Sequence, residues 1–177
     1  MKGAYYASGI ILIVLLSAFA AAYVSNWRVK EDEYAIKFRT KGASGTLSGL
    51  QGVIDFDTAD LKSSHFDVTV AVNTIKTGIW LKNRHAKAAD FLDAERYPTI
   101  RFASSAITPS KNGFVADGAL TIKDVSKNVS IPFTFDHTGN EGVFRGNFEL
   151  DRKDYNLEKN RVGETIQIEL VVPVRKR

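Results

Sequence analysis

The residues able to do chemistry in this chain are few and do not converge. There are three histidines, His65, His85 and His137. None has a second ligand at a metal-binding spacing such as His-x-x-x-His, where one helical turn would bring two rings onto one ion. The sequence has no cysteine, which removes a thiol nucleophile, a disulfide framework and a lipid-modified cysteine anchor together. No Gly-x-Ser-x-Gly elbow is present, so nothing aligns a serine with a histidine and an acid. Gly42, Gly45, Gly49 and Gly52 are dense enough to suggest a phosphate cradle, but no Gly-Lys-Ser/Thr follows them. The acidic residues fall at alternate positions or in turns, where solvation explains them. Asn128-Val129-Ser130 fits a glycosylation sequon, a pattern short enough to arise by chance. These absences predict a protein without catalytic residues, bound metal or cofactor.

Charge points the same way. The net charge of +4 comes from 24 basic and 20 acidic residues in mixture, too mild for a nucleic-acid surface. The cluster Arg175-Lys176-Arg177 reads as a solvated terminus. With 177 residues and 44% apolar content, the chain is long enough for one domain with a real core.

What remains is the apolar pattern, and beyond Ser25 its period is two, the mark of strands with one buried face. The clearest run is Phe66, Val68, Val70, Val72. The alternation recurs in Tyr34, Ile36, Phe38; in Phe114 through Leu120 and Ile122; in Val129, Ile131, Phe133, Phe135; in Phe144, Phe148, Leu150; and in Ile166 through Val174. With shorter candidates at Trp27, Ile54 to Phe56 and Ile100 to Phe102, this makes about eight or nine strands. Turn signals at Lys111-Asn112-Gly113, Asp124-Val125-Ser126 and Thr138 to Gly142 separate several of them. The segment Gly78 to Leu92 breaks the alternation. Leu81, His85, Ala88 and Leu92 fall at i, i+4, i+7 and i+11, which predicts a short amphipathic helix or two half-helices closed by Tyr97-Pro98.

Consecutive strands with a single helical excursion predict an antiparallel sheet. A sheet of this size removes its edges by closing into a barrel or splitting into a sandwich. The four glycines from Gly42 to Gly52 tip the choice to a barrel, because strand glycines mark the bulges at which a sheet bends. An interior of about eight strands is either filled by side chains or holds one small ligand. Ala116, Gly118 and Gly146 interrupt larger residues on the inward faces, compatible with either outcome. His85 is expected to face inward, either as a core histidine hydrogen-bonded to a backbone carbonyl or, with Arg84 or Arg101 nearby, as the polar end of an interior channel.

The N-terminus has its own logic. From Gly3 to Trp27 no residue is charged, and Lys2 and Arg28 bracket the run. The apolar centre Ile10 to Leu16 has the length of a signal-peptide core, and Ala18-Phe19-Ala20 and Ala20-Ala21-Ala22 both fit a cleavage site. Residues 1–24 therefore read as a signal peptide or, if uncleaved, as a hydrophobic membrane-anchoring helix that leaves residues 25–177 outside the cytoplasm.

The run Arg84-His85-Ala86-Lys87-Ala88-Ala89-Asp90-Phe91-Leu92-Asp93-Ala94-Glu95-Arg96-Tyr97-Pro98, followed by Ile100-Arg101-Phe102, resembles the signature segment of the YceI-like family of polyisoprenoid-binding proteins. Ile54-Asp55-Phe56-Asp57, Asn73 to Gly78, Gly118 to Ile122 with Val125 to Val129, and Phe148 to Tyr155 resemble its neighbouring strands in unbroken order from Trp27 to Val174. The resemblance implies an all-β fold, an extended antiparallel lipocalin-like β-barrel, periplasmic or secreted, holding a polyisoprenoid or related long-chain lipid in an apolar tunnel and supplying no catalytic residue. The residues expected to line the tunnel are Phe66, Val68, Val70, Val72, His85, Phe102, Leu120, Phe133 and Phe148. Two other classes stand against this one: an envelope stress or adhesion module with a solid barrel and no lipid, and a hydrolase with an unrecognised site.

Overall fold

A computed structural model of the chain describes residues 26–158 and 162–177; the predicted leader lies outside them. Among the described residues nine strands run in the order β1 (Asn26–Val29), β2 (Ala35–Thr40), β3 (Ala43–Asp55), β4 (His65–Lys76), β5 (Thr99–Ser110), β6 (Gly113–Ile122), β7 (Val125–Thr138), β8 (Glu141–Asp151) and β9 (Thr165–Lys176), with one α-helix, α1 (Trp80–Lys87), between β4 and β5 and a 3-10 turn, Arg152–Tyr155, between β8 and β9. All pairings are antiparallel, and the sheet closes because β3 pairs with β4 on one side and, through β2, with β9 on the other. β1 and β2 share one stave. β1 pairs with the far ends of β3 and β9 (Trp27 opposite Ile54 and Lys176), and β2 pairs with their near ends (Ile36 opposite Leu47 and Leu170). The result is an eight-stave antiparallel barrel with no open edge.

The staves are long. At about 3.4 Å per residue the 14 residues of β7 extend over roughly 48 Å, so the barrel has room for two different interiors along its axis. Each alternating run in the sequence is a strand, and the candidate at Ile54 is the far end of the glycine-bearing strand β3. The register of β3 against β4 slips between Thr46 and Ser48 and again between Ser48 and Gln51. Gly52 sits beside this irregularity with φ of +128°, and a Cβ there would lie 2.1 Å from the carbonyl oxygen of Asp67. The close approach of two backbones explains that glycine.

The turn between β6 and β7 is tighter than expected: Lys123 and Asp124 form it, with Lys123 at φ +58°, and Val125-Ser126 already belong to β7. The helix also differs. α1 ends at Lys87, Ala88 is extended, and no helical side chain is buried. The stripe Leu81, His85, Ala88, Leu92 therefore does not exist as one helical face. Leu81 is 47% exposed, while Leu92 is buried from the turn that follows the helix.

Candidate functional site

The interior is solid at one end and hollow at the other. At the solid end Phe56 is 1% exposed, and its ring stands 5.1 to 6.0 Å from the rings of Phe66, Phe114, Phe133, Phe135 and Phe144, mostly edge-to-face. Offset and edge contacts of this kind suit the ring quadrupoles. Trp27 closes this end: its indole Nε1 donates to the carbonyl of Phe56 at 3.0 Å, and Phe135 packs on it at 5.0 Å. Outside the plug, Lys30 and Arg175 both pair with Glu141, joining β1, β8 and β9 and holding the Glu141 carboxyl below its usual range. The hydrogen bond from Lys30 is the larger cause.

From Phe66, Phe133 and Phe144 toward the opposite end there is a cavity of about 620 Å³. Its walls are apolar: Ile36, Leu47 and Leu50 from β2 and β3, Val68 and Val70 from β4, Ile100 and Phe102 from β5, Leu120 and Ile122 from β6, Phe148 and Leu150 from β8, Ile166, Ile168 and Leu170 from β9. Val68, Val70, Phe148 and Ile168 point inward yet are only half-buried, because the face they present meets empty space. The cavity falls within the 300–1,000 Å³ of small-molecule pockets.

Polar lining gathers at the mouth. Thr40, Gly42 and Ala43 come from the β2–β3 hairpin, Thr77 from the end of β4, and Lys82, His85 and Ala86 from α1. The helix is held there by its own polar groups. Asn83 Oδ1 accepts from the backbone N–H of Thr77 at 2.7 Å and from its hydroxyl at 2.8 Å, and Lys82 Nζ donates to the carbonyl of Gly42 at 3.0 Å. Across the mouth, the buried Arg152 donates to the carbonyls of Leu157, Val162 and Gly163, and the Gly163 N–H reaches the carbonyl of Lys41 at 2.9 Å. Beneath this loop Tyr155 is 1% exposed and its phenol oxygen has no hydrogen-bond partner. Burial pushes this phenol up to about 12, with the charge of Asp154 a lesser cause.

Eight of the nine tunnel residues expected from sequence line this cavity: Phe66, Val68, Val70, His85, Phe102, Leu120, Phe133 and Phe148. Val72 does not. It is 1% exposed and packed within the core, its N–H donating to the carbonyl of Pro98 at 2.9 Å in the register of the β4–β5 ladder, which Pro98 ends because it has no N–H to return. Arg101 is misplaced by the sequence as well. It alternates with the inward Ile100 and Phe102, so it stands on the outer face, where Nη2 meets Asp67 Oδ2 at 2.6 Å and Nε meets Oδ1 at 2.8 Å. This hydrogen-bonded pair lowers the Asp67 carboxyl below its usual value. Arg84 faces away from the cavity and stacks over Trp80 at 5.4 Å. Of the three polar-end candidates only His85 is at the mouth. Gly118 leaves no space for a ligand, since a Cβ there would lie 2.3 Å from the Ala103 carbonyl oxygen; Ala116 and Gly146 do line the cavity. Sequence reasoning missed Thr77 and Lys82, whose positions depend on how the helix folds over the barrel end.

Among the described residues no group of three histidine, cysteine, aspartate or glutamate side chains could hold a metal ion, and no helix is long and apolar enough to cross a membrane. His65 lies 3.5 Å from Asp55 on the outside of the barrel, and His137 stacks on Phe135 at the solid end.

A closed antiparallel barrel with one plugged end and one open apolar cavity defines a lipocalin-like container. Residues 27–174 match the YceI-like domain, and the chain belongs to that family. A UPF0312 protein of Yersinia enterocolitica is 26% identical over 94% of this chain and 91% of its own length. The crystal structure of BcnA from Burkholderia cenocepacia superposes with a TM-score of 0.78 at 24% identity, covering 82% of this chain and 99% of that one. A polyisoprenoid-binding domain from Saccharophagus degradans, implicated in plant cell wall breakdown, superposes at 0.66 with 12% identity over 88% of this chain and all of that domain.

Proposed function

We propose that this protein binds a long apolar chain, a polyisoprenoid or a related lipid, inside the barrel, and carries or sequesters it in the cell envelope after export. The observation that carries this is the division of the interior: a cavity whose walls are apolar apart from Thr69 and Arg145, a floor of phenylalanine rings, and polar groups gathered where the mouth opens. The tail lies against Val68, Val70, Phe102, Leu120 and Phe148, and the head stays near Thr77, Lys82 and His85. Such a role is binding and needs no reaction at the site.

If a methylene fills about the ~30 Å³ that a water takes in the liquid, 620 Å³ holds roughly twenty carbons. At about 0.8 kcal/mol for each buried methylene, about twenty carbons gain roughly 16 kcal/mol, which after an association cost of about 8 kcal/mol leaves micromolar affinity. The polyisoprenoid-binding neighbour supports the same ligand class. Export rests on the uncharged run and the small-residue sites before Tyr23.

Native mass spectrometry of the protein isolated from envelope fractions tests both parts. The expected species carries a bound lipid mass and begins near Ala21 or Tyr23. A protein that never retains lipid, even after incubation with isoprenoid alcohols, overturns the binding proposal. A species that keeps Met1 and needs detergent for extraction makes the leader an anchor.

A further inference from the structure

α1 is unlike the rest of the surface. Most large apolar side chains of the described residues are buried or face the cavity, but Ile79 is 49% exposed, Trp80 70% and Leu81 47%, three in a row at the start of this helix. A contiguous group of this kind marks an interaction surface rather than a stray apolar residue. From Thr77 to Ala89 there is no acidic residue, while Lys82, Arg84 and Lys87 are cationic. The guanidinium of Arg84 lies over the Trp80 ring at 5.4 Å, so charge and apolar surface occupy one patch. That patch borders the cavity mouth, since Lys82, His85 and Ala86 of the same helix line it.

We infer that α1 docks the barrel mouth onto an anionic lipid bilayer, with Ile79, Trp80 and Leu81 entering the headgroup region and Arg84 and Lys87 meeting lipid phosphates. Charge complementarity selects this occupant. A solvated tryptophan beside cations with no carboxylate interspersed is what a negatively charged interface binds, whereas a protein partner of mixed charge has no carboxylate on this helix to pair with. The inference rests on the lipid-binding proposal for its purpose, because it presents the open end of the cavity to the membrane from which a lipid would be taken. The described chain starts at Asn26, at the plugged end.

Trp80 reports on its own docking. The other tryptophan, Trp27, is buried at the far end, so Trp80→Phe supplies the baseline. The protein as isolated from cells is mixed with phosphatidylcholine vesicles, with or without 30% phosphatidylglycerol, carrying brominated acyl chains that quench tryptophan on contact. The expected result is blue-shifted, quenched Trp80 emission on anionic vesicles only, lost in 0.5 M salt. Changing Arg84 and Lys87 to Gln should weaken it roughly 30-fold, from about one kcal/mol for each basic side chain near an anionic surface. Absence of Trp80-dependent quenching from a protein that still copurifies with lipid overturns the docking and leaves the cavity proposal standing. Equal quenching on neutral vesicles, or a blue shift that grows with protein concentration without vesicles, overturns it too, the latter in favour of a second copy covering the helix. Docking by a protein whose cavity never takes lipid supports this inference and overturns the cavity proposal instead.

Discussion

Replacing Val70 by Phe separates a hollow interior from a filled one by the sign of its effects. Val70 projects from the middle of β4, opposite Ile100 of β5, into the cavity wall, and is only half-buried because it faces open space. Phe carries four more carbon atoms than Val. In a cavity of about 620 Å³ they displace about four methylenes of ligand. At about 0.8 kcal/mol each the loss is about 3 kcal/mol, or roughly two orders of magnitude in affinity. The same ring finds room and apolar neighbours, so folding stability should hold or rise. In a filled core the same exchange would overpack and cost about 1–3 kcal/mol. The assay pairs urea denaturation with titration by a fluorescent long-chain lipid, and the control places Phe at the exposed Thr108 on the outside of β5. A variant that loses 1–3 kcal/mol of stability while its lipid retention stays unchanged would refute the cavity.

Three further outcomes follow from other parts of the molecule. Phe56→Ala removes the centre of the aromatic plug and should cost about 3–5 kcal/mol in urea denaturation; a loss under about 1 kcal/mol would show that the plug does not hold that end together. His85→Leu should leave the melting temperature unchanged, since the ring sits exposed at the mouth, and shift preference among polar, anionic and purely hydrocarbon ligands; a fall in stability with no change in preference would make the ring structural. Tyr155→Phe should raise stability at neutral pH by about 1 kcal/mol, because the buried phenol oxygen has no partner. Its folded pKa of about 12 lies above the unfolded value of 10, so the neutral phenol's contribution is whole below pH 10 and is lost as pH rises toward 12. Phe at this position should flatten that alkaline decline, and an unaltered pH–stability curve would assign it elsewhere.

The long period-two runs from Phe66, Phe114, Val129, Phe144 and Ile166 were legible as strands because alternation is a local property: successive side chains leave the backbone on opposite sides whatever the rest of the fold does. The same locality put Phe66, Val68, Val70, Phe102, Leu120, Phe133 and Phe148 on inward faces, and the signature run from Arg84 to Pro98 identified the family without any geometry. Closure into a barrel was foreshadowed by the glycines of β3, whose bulges curve the sheet. The expectation of a leader rests on composition alone, and the residues that carry it lie outside the described ones.

How the inward faces meet was beyond the sequence, since that depends on strand number, register and the angle at which residues far apart in the chain approach one another. Phe56, Phe114 and Phe135 come from separate strands and loops, and only their convergence makes one end solid. Val68, Val70, Ile168 and Phe148 carry the same apolar signal, yet they fail to meet across the axis and so enclose a cavity. Val72 continues the alternation of β4 in sequence, but core side chains cover it completely, so it does not reach the cavity. Arg101 was a plausible head-binding cation until the register set it on the outer face against Asp67. The helix shows the limit most plainly. Eight residues of which none is fully buried carry no periodic signal that tells a docked helix from an exposed one; Asn83 reaching Thr77 is a local contact, but Lys82 reaching Gly42, forty residues away, sets the helix over the mouth only once the strands have paired.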